Sequence, residues 1–259
     1  MSSPLPGDFA SLLALRGIPF LGGSGGLSNR AELVPTQATT VFAFHFNDGV
    51  IMAGDRRATA GNAIVTDRVD KVMEIDTTSL LAIAGVPATA FEMARVLRSS
   101  FEYYRRSQLK PLSLAAKARS LSRLLRENLP MTLQGVGGVV PIFAGVDQST
   151  NPPEPKVFFY DPLGAEFQAT GHAASGSGSG AIRSIMAYEE RFGDRKPSQM
   201  DVGAAIRFSL QLLMIAAEFD SATGGVQPAA KQFATIKVVR ARGIETVSEA
   251  MQAEAFGQS

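Results

Sequence analysis

Residues 39–55 hold the tightest local constraint in this chain. In Thr39-Thr40-Val41-Phe42-Ala43-Phe44-His45-Phe46, the phenylalanines alternate with Val41, Ala43 and His45. That period of two is the pattern of a β-strand with a distinct apolar face. Asn47-Asp48-Gly49 signals a short hairpin, and Val50 to Gly54 returns as the partner strand. A three-residue loop predicts Phe46 opposite Val50 and Asp55 opposite Val41, which brings Asp55 beside Thr39. The same counting applies to a second hairpin, Lys71–Asp76 with Leu80–Gly85 around Thr77-Thr78-Ser79. There it predicts Asp76 opposite Leu80 and Lys71 opposite Gly85.

Helical spacing follows. Phe91, Ala94, Leu97, Phe101 and Tyr104 share one face, as do Leu114, Ala118, Leu121 and Leu125, with Pro111 and Pro130 as punctuation. Strands are expected at Val139–Gly145, Val157–Tyr160 and Glu166–Ala169. Helices are expected at Gly180–Phe192 and Val202–Phe219, the latter apolar on most sides and therefore buried. Phe233–Arg240 and Ile244–Val247 read as further strands, and the tail from Ser248 as polar. Strands, paired helices, strands, paired helices and strands predict an α+β fold, two sheets face to face with a helical layer outside each. With 259 residues and 45% hydrophobic content, the chain can bury the core this requires.

Residues 1–38 differ from the rest. Pro4, Pro6, Gly22, Gly23, Gly25, Gly26 and Pro35 interrupt any periodicity, as in a leader to be discarded or a plain extension. The apolar stretch Phe9–Leu21 invites comparison with a signal peptide. No Lys or Arg precedes it, however, and Arg16 interrupts it. No apolar run reads as a bilayer span, so no membrane partner and a cytoplasmic location are expected.

The chemistry available is narrow. The chain has no cysteine and only His45 and His172, which removes thiolate sites and histidine cages; no metal or cofactor is expected. Net charge is +1, from 25 basic and 24 acidic residues, so nucleic acid has no electrostatic hold here. What remains is hydroxyl, amine and carboxylate chemistry. Thr39 would carry its own base, a free α-amine, if the residues before it were removed. Lys71 would lower the hydroxyl pKa electrostatically, with Asp55 holding it charged, and the Gly85 N–H would approach an oxyanion closely. Singly, each has an ordinary structural explanation. Ser175-Gly176-Ser177-Gly178-Ser179-Gly180 reads as a flexible loop or a phosphate cradle, though it lacks a P-loop ending.

Together, these residues resemble a known family. Thr39-Thr40-Val-Phe-Ala-Phe, Met52-Ala53-Gly54-Asp55-Arg56-Arg57-Ala58-Thr59, Asp70-Lys71-Val72, Ile83-Ala84-Gly85, Gly176-Ser177-Gly178-Ser179 and Asp220-Ser221-Ala222-Thr223-Gly224-Gly225 are similar to the 20S proteasome β subunit of the actinobacterial type. The resemblance spans residues 39 to about 247. It implies an N-terminal-nucleophile hydrolase with a four-layer αββα sandwich. Residues 1–38 are then a propeptide, cut between Ala38 and Thr39, and 39–259 the catalytic domain with its tail. It implies Thr39 as nucleophile, Asp55 and Lys71 in support, and Ser177, Asp220 and Thr223 around the nucleophile's amine. Gly85 becomes the oxyanion glycine, Thr59 a substrate-strand residue, and Ala58, Val69, Met73 and Ile83 the pocket. All four pocket residues are uncharged, which predicts cleavage after apolar residues. The implied partners are α subunits and other β subunits in stacked seven-membered rings, with an ATPase unfoldase, prokaryotic ubiquitin-like tagged proteins and unfolded polypeptide as substrate. Ala38 stands where active subunits usually have glycine, and Pro87 removes an N–H where the family's backbone often pairs with substrate. Rival readings are a catalytically silent ring subunit and a self-processing amidase of the same fold. A Ser-His-Asp site built on His172 is a poorer third.

Overall fold

The computed structural model describes residues 39–60, 63–227 and 232–257. The expected propeptide, Ala38 included, lies outside the described residues. Along the chain run β1 (Thr40–Phe46), β2 (Gly49–Gly54), β3 (Ala58–Ala60), β4 (Ala63–Thr66), β5 (Val72–Asp76) and β6 (Ser79–Ala82). Three helices follow: α1 (Pro87–Gln108), α2 (Leu114–Glu127) and the short α3 (Leu129–Leu133). Next are β7 (Ile142–Asp147), β8 (Glu154–Tyr160), β9 (Glu166–Ala169), β10 (His172–Gly176), α4 (Ser179–Phe192) and α5 (Val202–Phe219). The chain closes with β11 (Thr235–Arg240), β12 (Gly243–Thr246) and α6 (Glu249–Gly257).

The strands form two antiparallel sheets, in orders β10-β1-β2-β11-β12 and β5-β6-β7-β8-β9, with β3-β4 as a separate ribbon. The alternation in β1 explains how they stack. Val41 and Ala43 pack with Val50, Met52, Leu80, Ala82, Ile142 and Ala144 in a core between the sheets. Phe42, Phe44 and Phe46 point the other way, against Ile182, Met186, Leu212 and Leu213 of α4 and α5. The strand is therefore buried on both faces rather than one. Each fully buried phenylalanine contributes about 1.5–3 kcal/mol. The second sheet turns Leu81, Phe143 and Phe158 onto Leu97 and Phe101 of α1 and Leu121 and Leu125 of α2. The layer order helix, sheet, sheet, helix is that of the αββα sandwich.

Several expectations need correcting. The first hairpin has a two-residue turn, Asn47-Asp48, and pairs Phe46 with Gly49 and Val41 with Gly54. Every partner moves by one from the three-residue loop, because Gly49 belongs to the strand. The second hairpin pairs Val72 with Ala82, so the expected register is off by two. A bulge between Glu74 and Asp76 accounts for part of this shift. Asp76 anchors it, accepting from the Thr78 N–H at 2.9 Å and the Ser79 hydroxyl at 2.6 Å. Lys71 therefore lies opposite Ile83, whose N–H donates to its carbonyl at 3.1 Å. The strand expected from Val139 begins at Ile142, since Pro141 has no N–H for the ladder; Val139 keeps only an isolated bridge to Gly85. The Gly-Ser segment is part strand, because His172–Gly176 pairs with β1. The tail is not merely polar: α6 docks through buried Gln252, whose side chain bonds both the N–H and the carbonyl of Ala234.

Helix α5 has the length and composition of a membrane span, contrary to the reading that no run does. It uses its apolar face in the core instead, with Ile206, Leu210, Leu212 and Leu213 buried. Asp201 caps its first turn, accepting from the Ala204 N–H at 2.9 Å.

Candidate active site

Thr39 sits immediately before β1 and is 4% exposed; Asp55, just past the end of β2, is 1% exposed and Lys71 2%. The corrected register places them together more directly than the expected one. The β1–β2 ladder ends at Val41 and Gly54, so the next pair is Thr40 with Asp55. The Asp55 N–H donates to the Thr40 carbonyl at 3.1 Å, and the Thr40 N–H returns a bond to Asp55 Oδ1 at 2.8 Å. Lys71 Nζ donates to the same Oδ1 at 2.7 Å. Oδ2 accepts from the N–H groups of Arg57 at 3.0 Å and Gly224 at 2.9 Å. A buried carboxylate with this set of donors is fully satisfied and fixed in position. Burial pushes the Lys71 amine below the ordinary lysine value, while the charge and hydrogen bond of Asp55 oppose the shift.

A second cluster closes on β1 from the other side. Asp220 ends α5, and its Oδ2 accepts from the hydroxyls of Thr223 and Ser177. Thr223 Oγ1 also lies 2.6 Å from Thr40 Oγ1, which accepts from the Gly178 N–H at 3.0 Å. Because the Thr223 proton goes to the carboxylate, Thr40 must donate to Thr223. The chain of donors then runs from Gly178 through Thr40 and Thr223 to Asp220. The Ser177 N–H holds the Thr39 carbonyl at 3.1 Å. Gly176 makes this approach possible: it has φ +96°, and a Cβ there would fall 1.7 Å from the Thr39 carbonyl oxygen.

A narrow cleft is lined by Thr39, Lys71, Gly85, Ala58, Val69 and Ile83, joined by Pro87 and Phe91. Gly85 has φ +117°, and a Cβ would meet the Gly138 carbonyl oxygen at 2.2 Å. Its neighbours' ladder bonds go to Gly138 and Ala84, and its own N–H has no acceptor among the described residues. Pro87 is the first residue of α1, where a helix has no use for an N–H. Met73 does not line this cleft. It lines an adjoining cavity that shares Val69 and Phe91 with it. Thr59 is buried in β3, paired with Ile64, and does not line the cleft either.

Sequence reasoning missed Thr40, Arg57, Gly224 and Phe91. Arg57 bonds Asp67 Oδ1 at 2.9 Å and the Ser221 carbonyl at 3.2 Å, which ties the Asp220–Gly224 loop to β2. The signal for Thr40, Arg57 and Gly224 was their place inside the motifs, and for Phe91 its place on the apolar face of a helix.

Comparison with known proteins agrees with the fold. The family described as proteasome subunit matches residues 36–227. A proteasome subunit beta of Acidimicrobium ferrooxidans is 35% identical over 246 residues, covering 94% of this chain and 85% of that protein. Proteins with the same description are 38% identical in Stackebrandtia nassauensis and 37% in Acidothermus cellulolyticus, each over 82% of this chain and covering 74% and 71% of those proteins. With matches over that length on an αββα sandwich, the chain belongs to the proteasome subunit family, as a member of its β type.

Proposed function

We propose that this chain is a threonine endopeptidase of the proteasome core, made active when the bond between Ala38 and Thr39 is cut. Residues 1–38 act as a propeptide, and the new α-amine of Thr39 is the general base. The observation that carries this reading is the convergence on one cleft of Thr39, Lys71 and Gly85, whose N–H has no acceptor among the described residues. The Thr39 hydroxyl attacks the scissile carbonyl carbon, and its proton passes to the amine. The resulting oxyanion faces the Gly85 N–H; loss of one such donor typically costs roughly 10²–10³ in rate. Collapse breaks the peptide C–N bond, the amine returns the proton to the leaving nitrogen, and water releases the acyl group from Thr39. Lys71 supplies positive charge beside the hydroxyl, Asp55 fixes Lys71, and Ser177, Asp220 and Thr223 hold the strand end where the amine forms. The chain acts in rings with α and other β subunits, in the cytoplasm, on unfolded polypeptide delivered by an ATPase unfoldase from tagged proteins. A fully assembled Asp55–Lys71 pair favours this reading over a silent ring subunit.

The test is hydrolysis of fluorogenic peptides by the particle assembled with its α-type partner. Ala58, Val69, Ile83, Pro87 and Phe91 give the cleft an apolar wall. Peptides cleaved after an apolar residue are expected to be hydrolysed about tenfold faster than those cleaved after Lys or Glu, since a charged side chain loses its hydration against this apolar wall. Equal or faster cleavage after a charged residue contradicts the pocket assignment.

The pH profile is a second test. Activity requires a neutral α-amine and so rises through a pKa near ~8. It requires a charged Lys71, whose amine is depressed below 10.5, so activity falls again before pH reaches the ordinary lysine range. Deprotonation of Lys71 does not itself unfold the chain along that alkaline limb. Between the lowered pKa and 10.5 the unfolded chain binds more protons at this residue, so its contribution to stability rises with pH. A profile of kcat/KM that stays flat up to pH 10.5 contradicts the role of Lys71.

A further inference from the structure

Two cavities meet at Gly85. One is the cleft beside Thr39; the other, of about 420 Å³, is lined by Gly85, Val140, Ser175, Gly176, Ser179 and Arg183, among others. The second is bordered by β10, whose Gly176 pairs with Thr40 and whose neighbour Ser177 holds the Thr39 carbonyl. If a peptide carbonyl is polarised by the Gly85 N–H, the two halves of that peptide diverge from this point. The acyl half runs along the apolar cleft. The leaving half is directed into the second cavity.

That second cavity has a larger polar share than the first, from Ser175 and Ser179, and Arg183 is the single charged side chain among its lining residues. Arg183, on the first turns of α4, makes one long bond to the Ala174 carbonyl at 3.4 Å. No carboxylate lies within ion-pair distance of it among the described residues. A guanidinium with most of its donors uncommitted is suited to a planar, bidentate anion. Resting on the proposed hydrolysis at Thr39, we infer that Arg183 is a specificity residue on the leaving side of the scissile bond, binding a carboxylate of the departing peptide. That carboxylate is either an acidic side chain or the free C-terminus of the peptide. An exposed pair of this kind is screened by salt, so the preference is modest and shrinks as ionic strength rises.

The assembled particle provides the test, with internally quenched peptides bearing Glu or Gln at each of the first three leaving positions. A parallel set ends in a free carboxylate or an amide three residues beyond the scissile bond. At one position Glu is expected to raise kcat/KM about three- to tenfold over Gln, or the acid over the amide, and the arm that responds identifies the source. Arg183→Gln should remove that ratio, and Arg183→Glu should invert it in favour of Lys. No ratio in either arm, or a ratio that survives in Arg183→Gln, overturns the inference. A chromogenic amide with no leaving peptide separates the two levels. Its hydrolysis by the wild type with no carboxylate preference defeats this inference alone, whereas no hydrolysis defeats the proposed function and this inference with it.

Discussion

Thr39→Ala is expected to abolish peptide hydrolysis, lowering turnover by at least about 10⁴-fold, the scale seen when a covalent nucleophile is removed. The fold should survive. The backbone bonds that place this residue, above all the Ser177 N–H to the Thr39 carbonyl at 3.1 Å, do not depend on its side chain. The cavity left by the missing hydroxyl and methyl is small beside the Phe42 and Phe44 core that holds β1. Thr39→Ser keeps a nucleophile but loses the methyl that restricts χ1, so it should retain measurable hydrolysis below the wild-type rate. Activity measurements on purified particles, normalised to particle number, check both. Thr39→Ala turnover within tenfold of the wild type contradicts the assignment of the nucleophile.

Asp55→Ala should produce the largest loss of stability of any change at the site. It takes the carboxylate away from the buried Lys71 ammonium and from the N–H groups of Thr40, Arg57 and Gly224 together. Breaking a buried ion pair by removing one partner costs roughly 3–5 kcal/mol, and each orphaned buried donor adds about 1–3 kcal/mol, with less than full additivity. A net loss of about 4 kcal/mol or more is expected, which lowers the thermal midpoint by roughly 8–16 °C in a chain of this size. Lys71→Ala provides the contrast. It removes the charge while Asp55 keeps three backbone donors, so its thermal loss should be clearly smaller. Both variants should lose activity by ~10² or more, since Lys71→Ala removes positive charge from beside the nucleophile and Asp55→Ala removes the carboxylate that keeps Lys71 charged and in place. Differential scanning calorimetry orders the two. Asp55→Ala as stable as Lys71→Ala contradicts the view that this carboxylate organises the strand ends.

How much of this was legible in the sequence depended on distance along the chain. The alternating phenylalanines gave β1 and its helix-facing side, and the Asn-Asp-Gly turn gave its partner. Turn length was not legible, because Gly49 serves equally as a turn residue or the first residue of a strand. That ambiguity cost one residue of register, a shift that swaps the two faces of a strand. Asp55 still landed beside Thr39 because it lies just past the end of the ladder, where the chain has nowhere else to go. At Lys71 the error was two residues, which preserves the face. One residue of it is again turn length, and the other is the bulge at Asp76, which depends on side chains bonding across a turn and leaves no periodic trace.

Long-range closure was beyond counting. Nothing in the residues alone brings Asp220 and Thr223 to Thr40, 183 positions from Thr223. The family motif supplied those residues, and the geometry adds Thr40 and Arg57 as the links that hold them. Met73 shows the converse: an apolar residue in the right segment that lines the neighbouring cavity instead of the cleft.

The central claim is that Thr39 works as an N-terminal residue. The most direct measurement is the intact mass and N-terminal sequence of the chain taken from active particles co-expressed with the α-type partner. The account predicts that residues 1–38 are gone and the chain begins at Thr39, and that Thr39→Ala particles keep the longer chain. Active wild-type particles in which residue 38 is still joined to Thr39, or in which the chain begins elsewhere, would contradict it.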